Sequence, residues 1–176
     1  LPIGVALPIA TVVWGLMLDP YQGLANGFIG LFGIPPQPFL ISEHQALWSI
    51  IAIATWKGVA FWMLFLLAGM EDIPTQYYEA AKIDGARPFE KFRFITLPLL
   101  KRTILFVFVA DTATNFVLMV PMIILTKGGP MQSTNVLAFE AYRSGFYYQD
   151  WGRSLSIISI LTIISLVVIG LQLLFL

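Results

Sequence analysis

The sequence predicts an all-α integral membrane protein, and three observations support this fold class. Hydrophobic residues make up 58% of the 176 residues and charged residues only 11%, against about a quarter charged in ordinary soluble domains. A soluble domain of this length could not hide so much apolar surface. The apolar residues also fall into four long segments, each close to the ~20 residues that a helix needs to cross a bilayer. The predicted fold is a transmembrane helix bundle with at least four spans.

The four predicted spans form a single transmembrane domain over residues 1–176. They cover residues 1–18, 46–70, 103–125 and 154–176. The first and last spans carry no charge, the second carries only Lys57, and the third carries only Asp111. The chain begins with Leu1 inside an apolar run, and no basic stretch precedes that run. We therefore expect an N-terminally incomplete domain rather than a signal peptide.

Basic residues predict which connection faces the cytoplasm. The connection over residues 71–102 contains Lys82, Arg87, Lys91, Arg93, Lys101 and Arg102. The connection over residues 19–45 contains no basic residue, and the one over residues 126–153 has three. By the positive-inside rule, the middle connection is cytoplasmic and the other two face outward.

The middle connection also carries a spaced motif. Glu79-Ala80-Ala81 is followed after three residues by Gly85, and after nine more by Ile95-x-Leu97-Pro98. This pattern resembles the cytoplasmic-loop signature of bacterial ABC importer permeases, and no gap interrupts the spacing. Asp84-Gly85-Ala86 and the later Gly128-Gly129-Pro130 turn resemble the carbohydrate branch of that family. The resemblance covers essentially the whole chain and implies the type I ABC importer permease fold.

In the family that this chain resembles, the loop docks into a groove of the ATPase subunit and couples nucleotide-driven closure to the transmembrane helices. The resemblance therefore implies an ATPase-coupling loop within residues 71–102. Its implied functional positions are Glu79, Ala80, Ala81, Asp84, Gly85, Ile95, Leu97 and Pro98.

Local sequence rules predict two short helices in this loop. Pro74 suits the first turn of a helix that continues through Ile83, and Gly85 suits a left-handed C-terminal cap. Pro88 begins a second helix, predicted to run through Ile95 and to stop near Pro98. Helices this short need packing to persist, so apolar residues exposed on them would indicate a partner surface.

The two charges inside the predicted spans leave two readings open. At 1.5 Å per residue, Lys57 lies roughly 20 Å and Asp111 roughly 12–15 Å from the cytoplasmic ends of their helices. These depths allow an ion pair, and Asn115 lies one turn beyond Asp111 on the same face. Such residues either form a buried interhelix contact or line a translocation pathway.

The sequence lacks several residue types and motifs that catalysis or cofactor binding would need. It contains no cysteine, no phosphate-binding Gly-rich motif followed by lysine, and one histidine, His44. We therefore predict no catalytic residue, no metal site and no bound cofactor; ATP and magnesium would belong to partner ATPase subunits. The net charge of zero argues against nucleic acid as a partner.

Together, the residues and the resemblance predict a non-catalytic translocation subunit of an ATP-driven importer in the bacterial cytoplasmic membrane. The expected substrate is a sugar, an oligosaccharide or a polyol phosphate. The expected partners are a second, different permease subunit, two ATP-binding subunits, an extracytoplasmic substrate-binding protein and the lipid bilayer. The alternatives are an ion-gradient-driven secondary transporter or channel, with Lys57 and Asp111 in its pathway, and a non-transporting membrane scaffold.

Overall fold

The computed structural model describes residues 2–175, so Leu1 and Leu176 of the predicted spans lie outside the described residues. Within that range the chain is helical and contains no strand, which confirms the predicted all-α class. The α-helices are α1 (Leu7–Met17), α2 (Leu24–Gly30), α3 (Ala46–Glu71), α4 (Thr75–Ile83), α5 (Pro88–Lys91), α6 (Leu97–Leu99), α7 (Lys101–Phe116), α8 (Leu137–Tyr142) and α9 (Trp151–Phe175). Short 3₁₀ turns cover Pro2–Gly4 and Phe39–Ile41, and π-helical turns cover Phe92–Thr96, Met122–Thr126 and Arg143–Tyr147.

Two of the predicted spans are single long helices. Helix α3 has 26 residues and helix α9 has 25, and both are long and apolar enough to cross a membrane. Helix α7 packs against both of them, and α8 packs along the first part of α9.

The third predicted span, residues 103–125, is not one continuous helix. Helix α7 begins two residues earlier, at Lys101, and ends at Phe116; the chain is not helical at residues 118–119 before a further turn leads into Met122–Thr126. Pro121 explains the break. It has no N–H for the carbonyl of Val117, and its ring would clash with that carbonyl in a continuous helix.

The first predicted span is also interrupted. Helix α1 begins at Leu7, after the 3₁₀ turn, and Pro8 cannot donate a hydrogen bond to the carbonyl of Gly4. Lys57 of α3 reaches this interruption, and its Nζ donates to the backbone oxygens of Pro2 (2.7 Å), Ile3 (3.2 Å) and Val5 (2.5 Å). The break in one helix is therefore satisfied by a side chain of its neighbour, as backbone groups within a membrane require.

The hydrophobic core lies between the start of α3 and the residues that follow α7. Ile50, Met122 and Phe139 form its buried centre, with Met119, Ile123, Val136 and Tyr142 packed around them. At the other end of α3, a Cβ on Gly69 would lie 2.7 Å from Oγ1 of Thr103. The glycine therefore permits the close approach of α3 to α7 at the end from which the middle connection leaves.

Candidate coupling and translocation sites

Residues 71–100, which we call the elbow, form two short helical segments joined by a tight turn. Helix α4 ends in a Schellman motif: the amide of Ala86 donates to the carbonyl of Ala81 (2.9 Å), and that of Gly85 donates to the carbonyl of Lys82 (3.2 Å). Gly85 has φ +77°, as the predicted left-handed cap requires. Among the described residues, no neighbouring heavy atom lies within 4 Å of a Cβ built there, so backbone conformation rather than space favours glycine.

The second segment of the elbow runs further than the sequence predicts. Helix α5 begins at Pro88 as expected, but the chain remains helical past Pro98 to Leu99. The π-helical turn before Pro98 explains the difference. In this turn backbone amides donate to carbonyls five residues earlier rather than four, as the amide of Leu97 does to the carbonyl of Phe92.

A hydrogen bond between two residues outside the motif joins the two segments. The hydroxyls of Tyr78 and Thr96 are 2.9 Å apart, and Thr96 is buried. Of the motif positions, Ala81 and Ile95 are half-buried, whereas Glu79, Ala80, Asp84, Gly85, Leu97 and Pro98 are exposed. Most of the motif is thus accessible. The two segments that carry it are joined by Tyr78 and Thr96, which are adjacent to motif residues in the sequence.

The elbow exposes large apolar side chains. Ile83 is 86% exposed, Phe94 71% and Phe89 70%, although charged residues of both signs are interspersed with them in the sequence. Isolated exposed apolar residues are ordinary, but a concentration of them on short helices indicates an interaction surface.

The second candidate site is a cavity of about 600 Å³ beside α3, α7 and α8. Its lining is mostly apolar and includes Ile50, Met122 and Leu161, while Thr55, Trp62, Asp111, Thr112 and Asn115 contribute polar groups. An apolar cavity with a few converging polar groups is the usual form of a small-molecule site.

Asp111 is held in place by two donors. The indole Nε1 of Trp62 lies 3.1 Å from its Oδ1, and the amide Nδ2 of Asn115 lies 2.8 Å from the same oxygen. The contact with Trp62 joins α3 to α7 at the cavity, and the contact with Asn115 lies within α7. The structure therefore brings Asp111 and Asn115 together as the sequence predicted.

Lys57 and Asp111 do not form the ion pair that their depths allowed. Lys57 donates to the carbonyls of residues 2, 3 and 5, and it does not line the cavity. Position along each helix follows from the sequence, but the rotation that turns Lys57 toward the first helix does not. Of the two open readings, interhelix packing fits Lys57 and a position on the cavity wall fits Asp111.

Sequence reasoning missed Gln172 as a partner in this region. Its Nε2 donates to Oγ1 of Thr112 (2.7 Å), linking α9 to α7, while its Oε1 is buried and has no partner among the described residues. The sequence does contain a sign of this contact. Gln172 has a polar amide within the apolar final span, where polar side chains are costly and usually have a partner.

Residues 126–153, which we call the cap, contain a further network that the sequence did not reveal. The carboxylate of Glu140 accepts from Arg143 (2.5 Å), Arg153 (2.7 Å) and Asn135 (3.0 Å). Burial raises the pKa of Glu140, but the Asn135 amide and the two guanidiniums outweigh this and lower the pKa below its ordinary value of 4.5. The network ties α8 to the start of α9.

The predicted turn at Gly128-Gly129-Pro130 lies at the beginning of the cap. Thr134 is fully buried, and its hydroxyl contacts that of Thr126 (2.7 Å) and donates to the carbonyl of Gly129 (2.8 Å). A Cβ on Gly128 would lie 2.8 Å from the ring of Phe139, so the turn packs directly on the core.

Comparison with known proteins places the whole described chain within one family. The family model for the binding-protein-dependent transport system inner membrane component matches residues 2–176. The trehalose/maltose transport system permease protein MalF of Thermococcus litoralis is 34% identical over 175 residues, which are 98% of this chain and 59% of that protein. The sn-glycerol-3-phosphate transport system permease protein UgpA of Pectobacterium atrosepticum is 36% identical over 172 residues, covering 96% of this chain and 58% of the relative. The chain thus spans less than two thirds of these relatives.

The fold is also found in a solved structure. A chain of a bacterial alginate ABC transporter, in complex with an alginate pentasaccharide-bound periplasmic protein, superposes with a TM-score of 0.86 over 98% of this chain and 60% of that chain. The sequence identity is 22%, so this likeness establishes the architecture and not the substrate.

Proposed function

This chain belongs to the family of binding-protein-dependent transport system inner membrane components, and we propose that it is part of the translocation subunit of an ATP-driven ABC importer. The proposed cargo is a sugar, an oligosaccharide or a polyol phosphate. The chain performs no chemistry itself: its role is to couple the ATPase cycle to alternating access across the membrane.

The observation that carries this proposal is the elbow. The residues that match the coupling signature occupy an accessible surface, in a chain whose relatives are transport permeases. The Schellman cap at Gly85 fixes the end of α4, and exposed Ile83, Phe89 and Phe94 supply apolar area for docking. A capped helix with exposed apolar side chains is suited to binding an ATPase subunit and transmitting its movement to the helices attached to it.

The cavity supports the transport part of the proposal. It lies beside α3 and α7 and presents a carboxylate, an amide and an indole in an apolar wall. Trp62 offers an aromatic face of the kind that packs on sugar rings. Trp56 and Phe61 do not line this cavity; Trp56 packs on Trp14 (5.6 Å between centroids) and Phe61 on Phe65 (4.6 Å).

The proposed complex contains a second, different permease subunit, two ATP-binding subunits and an extracytoplasmic binding protein. ATP and magnesium would be held by the ATP-binding subunits, and the complex would lie in the bacterial cytoplasmic membrane. An ion-gradient-driven mechanism has no comparable support: it places both Lys57 and Asp111 in the pathway, whereas only Asp111 lines the cavity.

The chain contains no cysteine, so a single introduced thiol can test the elbow. We expect Ile83→Cys to be labelled by a maleimide in the permease alone and to be protected when the ATP-binding subunits assemble. Leu31→Cys, which replaces an 80% exposed residue outside the elbow, is the matched control and should be labelled equally in both states. Equal labelling of Ile83→Cys with and without the ATP-binding subunits would contradict the proposed docking.

A further inference from the structure

The cavity has an unbalanced charge. Among the described residues that line it, Asp111 alone has a charged side chain. Lys57 is the other charge within the predicted spans, but it is engaged by three backbone carbonyls elsewhere. No described cation is therefore positioned to neutralise the carboxylate.

The geometry of Asp111 leaves one of its oxygens available. Trp62 and Asn115 both donate to Oδ1, which fixes the orientation of the carboxylate. Among the described residues, none donates to Oδ2, and Oδ2 is not one of the buried atoms without a partner. It is therefore an accessible acceptor on a residue that lines both this cavity and a smaller neighbouring one beside Leu66 and Phe108.

An accessible, fixed carboxylate discriminates between substrates by charge. It accepts hydrogen bonds from hydroxyl groups, and such charge-assisted bonds are stronger than those between neutral groups. It repels a carboxylate or phosphate group within a few ångströms, and the apolar wall weakens the screening of that repulsion.

We propose that Asp111 makes this cavity selective for uncharged polyhydroxylated substrates over anionic ones, such as sugar acids and polyol phosphates. This inference rests on the proposed transport function and narrows it. Family membership leaves the choice open, because the names of the relatives include both trehalose/maltose and sn-glycerol-3-phosphate. The charge at the cavity favours the first kind of cargo.

The test is uptake by the complete importer, reconstituted in proteoliposomes with its own binding protein. The probes are two matched pairs: maltose with maltobionate, and glycerol with sn-glycerol 3-phosphate. For each pair we measure the neutral-to-anionic uptake ratio in the wild type and in Asp111→Asn. The binding protein is common to both complexes, so any change in this ratio belongs to the permease.

We expect the wild type to favour the neutral member, and Asp111→Asn to lower the ratio at least about tenfold. Asp111→Glu, which keeps the charge, should retain most of the wild-type preference, and Glu43→Gln removes an exposed carboxylate outside the cavity as a control. A wild-type preference for the anion, or an unchanged ratio in Asp111→Asn, would overturn the proposal.

Two further outcomes remain decisive. If Asp111→Asn does not assemble, inhibition of wild-type uptake is measured with the anionic probe in tenfold excess: unchanged neutral uptake supports the proposal, and inhibition contradicts it. If the wild type takes up none of the four probes, the proposed saccharide and polyol import fails, and the charge selectivity that rests on it fails with it.

Discussion

The elbow and the cap both connect long apolar helices through short helices and tight turns. In the elbow, Ile83, Phe89 and Phe94 are at least 70% exposed, and no ion pair joins the residues that the structure describes there. In the cap, Phe139 is 3% and Thr134 0% exposed, and Glu140 bridges two arginines. Both connections expose large apolar side chains, including Met131 and Phe146 in the cap, but among the described residues only the cap is tied by ion pairs. We therefore expect the stability of the cap to depend on its ion pairs, and we propose the elbow, which carries the motif, as the docking surface.

The largest expected effect comes from breaking the centre of the cap. Glu140→Gln leaves the guanidiniums of Arg143 and Arg153 without their shared anion, and we expect a loss of about 2 kcal/mol, or roughly 4–8 °C in Tm. Glu43→Gln, which disrupts only an exposed contact with His44, should change Tm by far less. Thermal unfolding of the purified complex measures both, and equal shifts would show that the Glu140 network does not stabilise the cap.

The stabilisation that Glu140 provides should be lost at acidic pH. Because the pKa of Glu140 is lower in the folded chain than its ordinary value of 4.5, its stabilising effect is fully present above pH 4.5 and is lost as the pH falls through the folded pKa. We therefore expect the Tm difference between wild type and Glu140→Gln to be constant from pH 7 to pH 5 and to shrink below pH 4.5. A difference that grows on acidification would contradict the sign of the pKa shift.

A smaller cost in stability, with a selective effect on activity, is expected in the elbow. Gly85→Val places a β-branched residue at φ +77°, at a cost of roughly 1–2 kcal/mol. Gly33→Val is a closely matched control, because Gly33 has φ +72° and equally open surroundings but lies outside the elbow. We expect similar losses of stability, while substrate-stimulated ATP hydrolysis and uptake fall together only in Gly85→Val. Equal loss of coupling in both variants would separate the elbow from the coupling mechanism.

The smallest expected effect is an interaction energy close to zero between Lys57 and Asp111. Since each binds different partners, the losses of stability in Lys57→Met and Asp111→Asn should add in the double variant to within about 0.5 kcal/mol. A double-variant cycle on Tm or denaturant unfolding provides the measurement. Recovery of stability in the double variant would instead indicate the direct pair that the depths alone suggested.

The sequence predicts features that depend on neighbouring residues better than features that depend on residues far apart in the chain. The left-handed cap at Gly85 and the start of α5 at Pro88 follow from local backbone rules, and the structure has both. The direction of Lys57, the bond between Thr112 and Gln172, and the arginines around Glu140 depend on how distant segments rotate and pack. A single sequence contains no measure of that rotation. Pro121 indicates a break in the third span, but the span is predicted from the apolar character of the whole segment, which one proline hardly changes.

Finally, the contact between Lys57 and the interrupted first helix has a consequence for biogenesis. A lysine at the centre of a span opposes insertion by roughly 2.5–3.5 kcal/mol, and the carbonyls released near Pro8 oppose it as well. The segment with the free acceptors is synthesised before the segment with the donor, so the acceptors are already present when Lys57 reaches the bilayer. We therefore expect the first segment and α3 to enter the lipid as a pair, in which the contact offsets part of the cost of each polar defect. A change at residue 57 would act on membrane integration itself, before any cycle of transport begins.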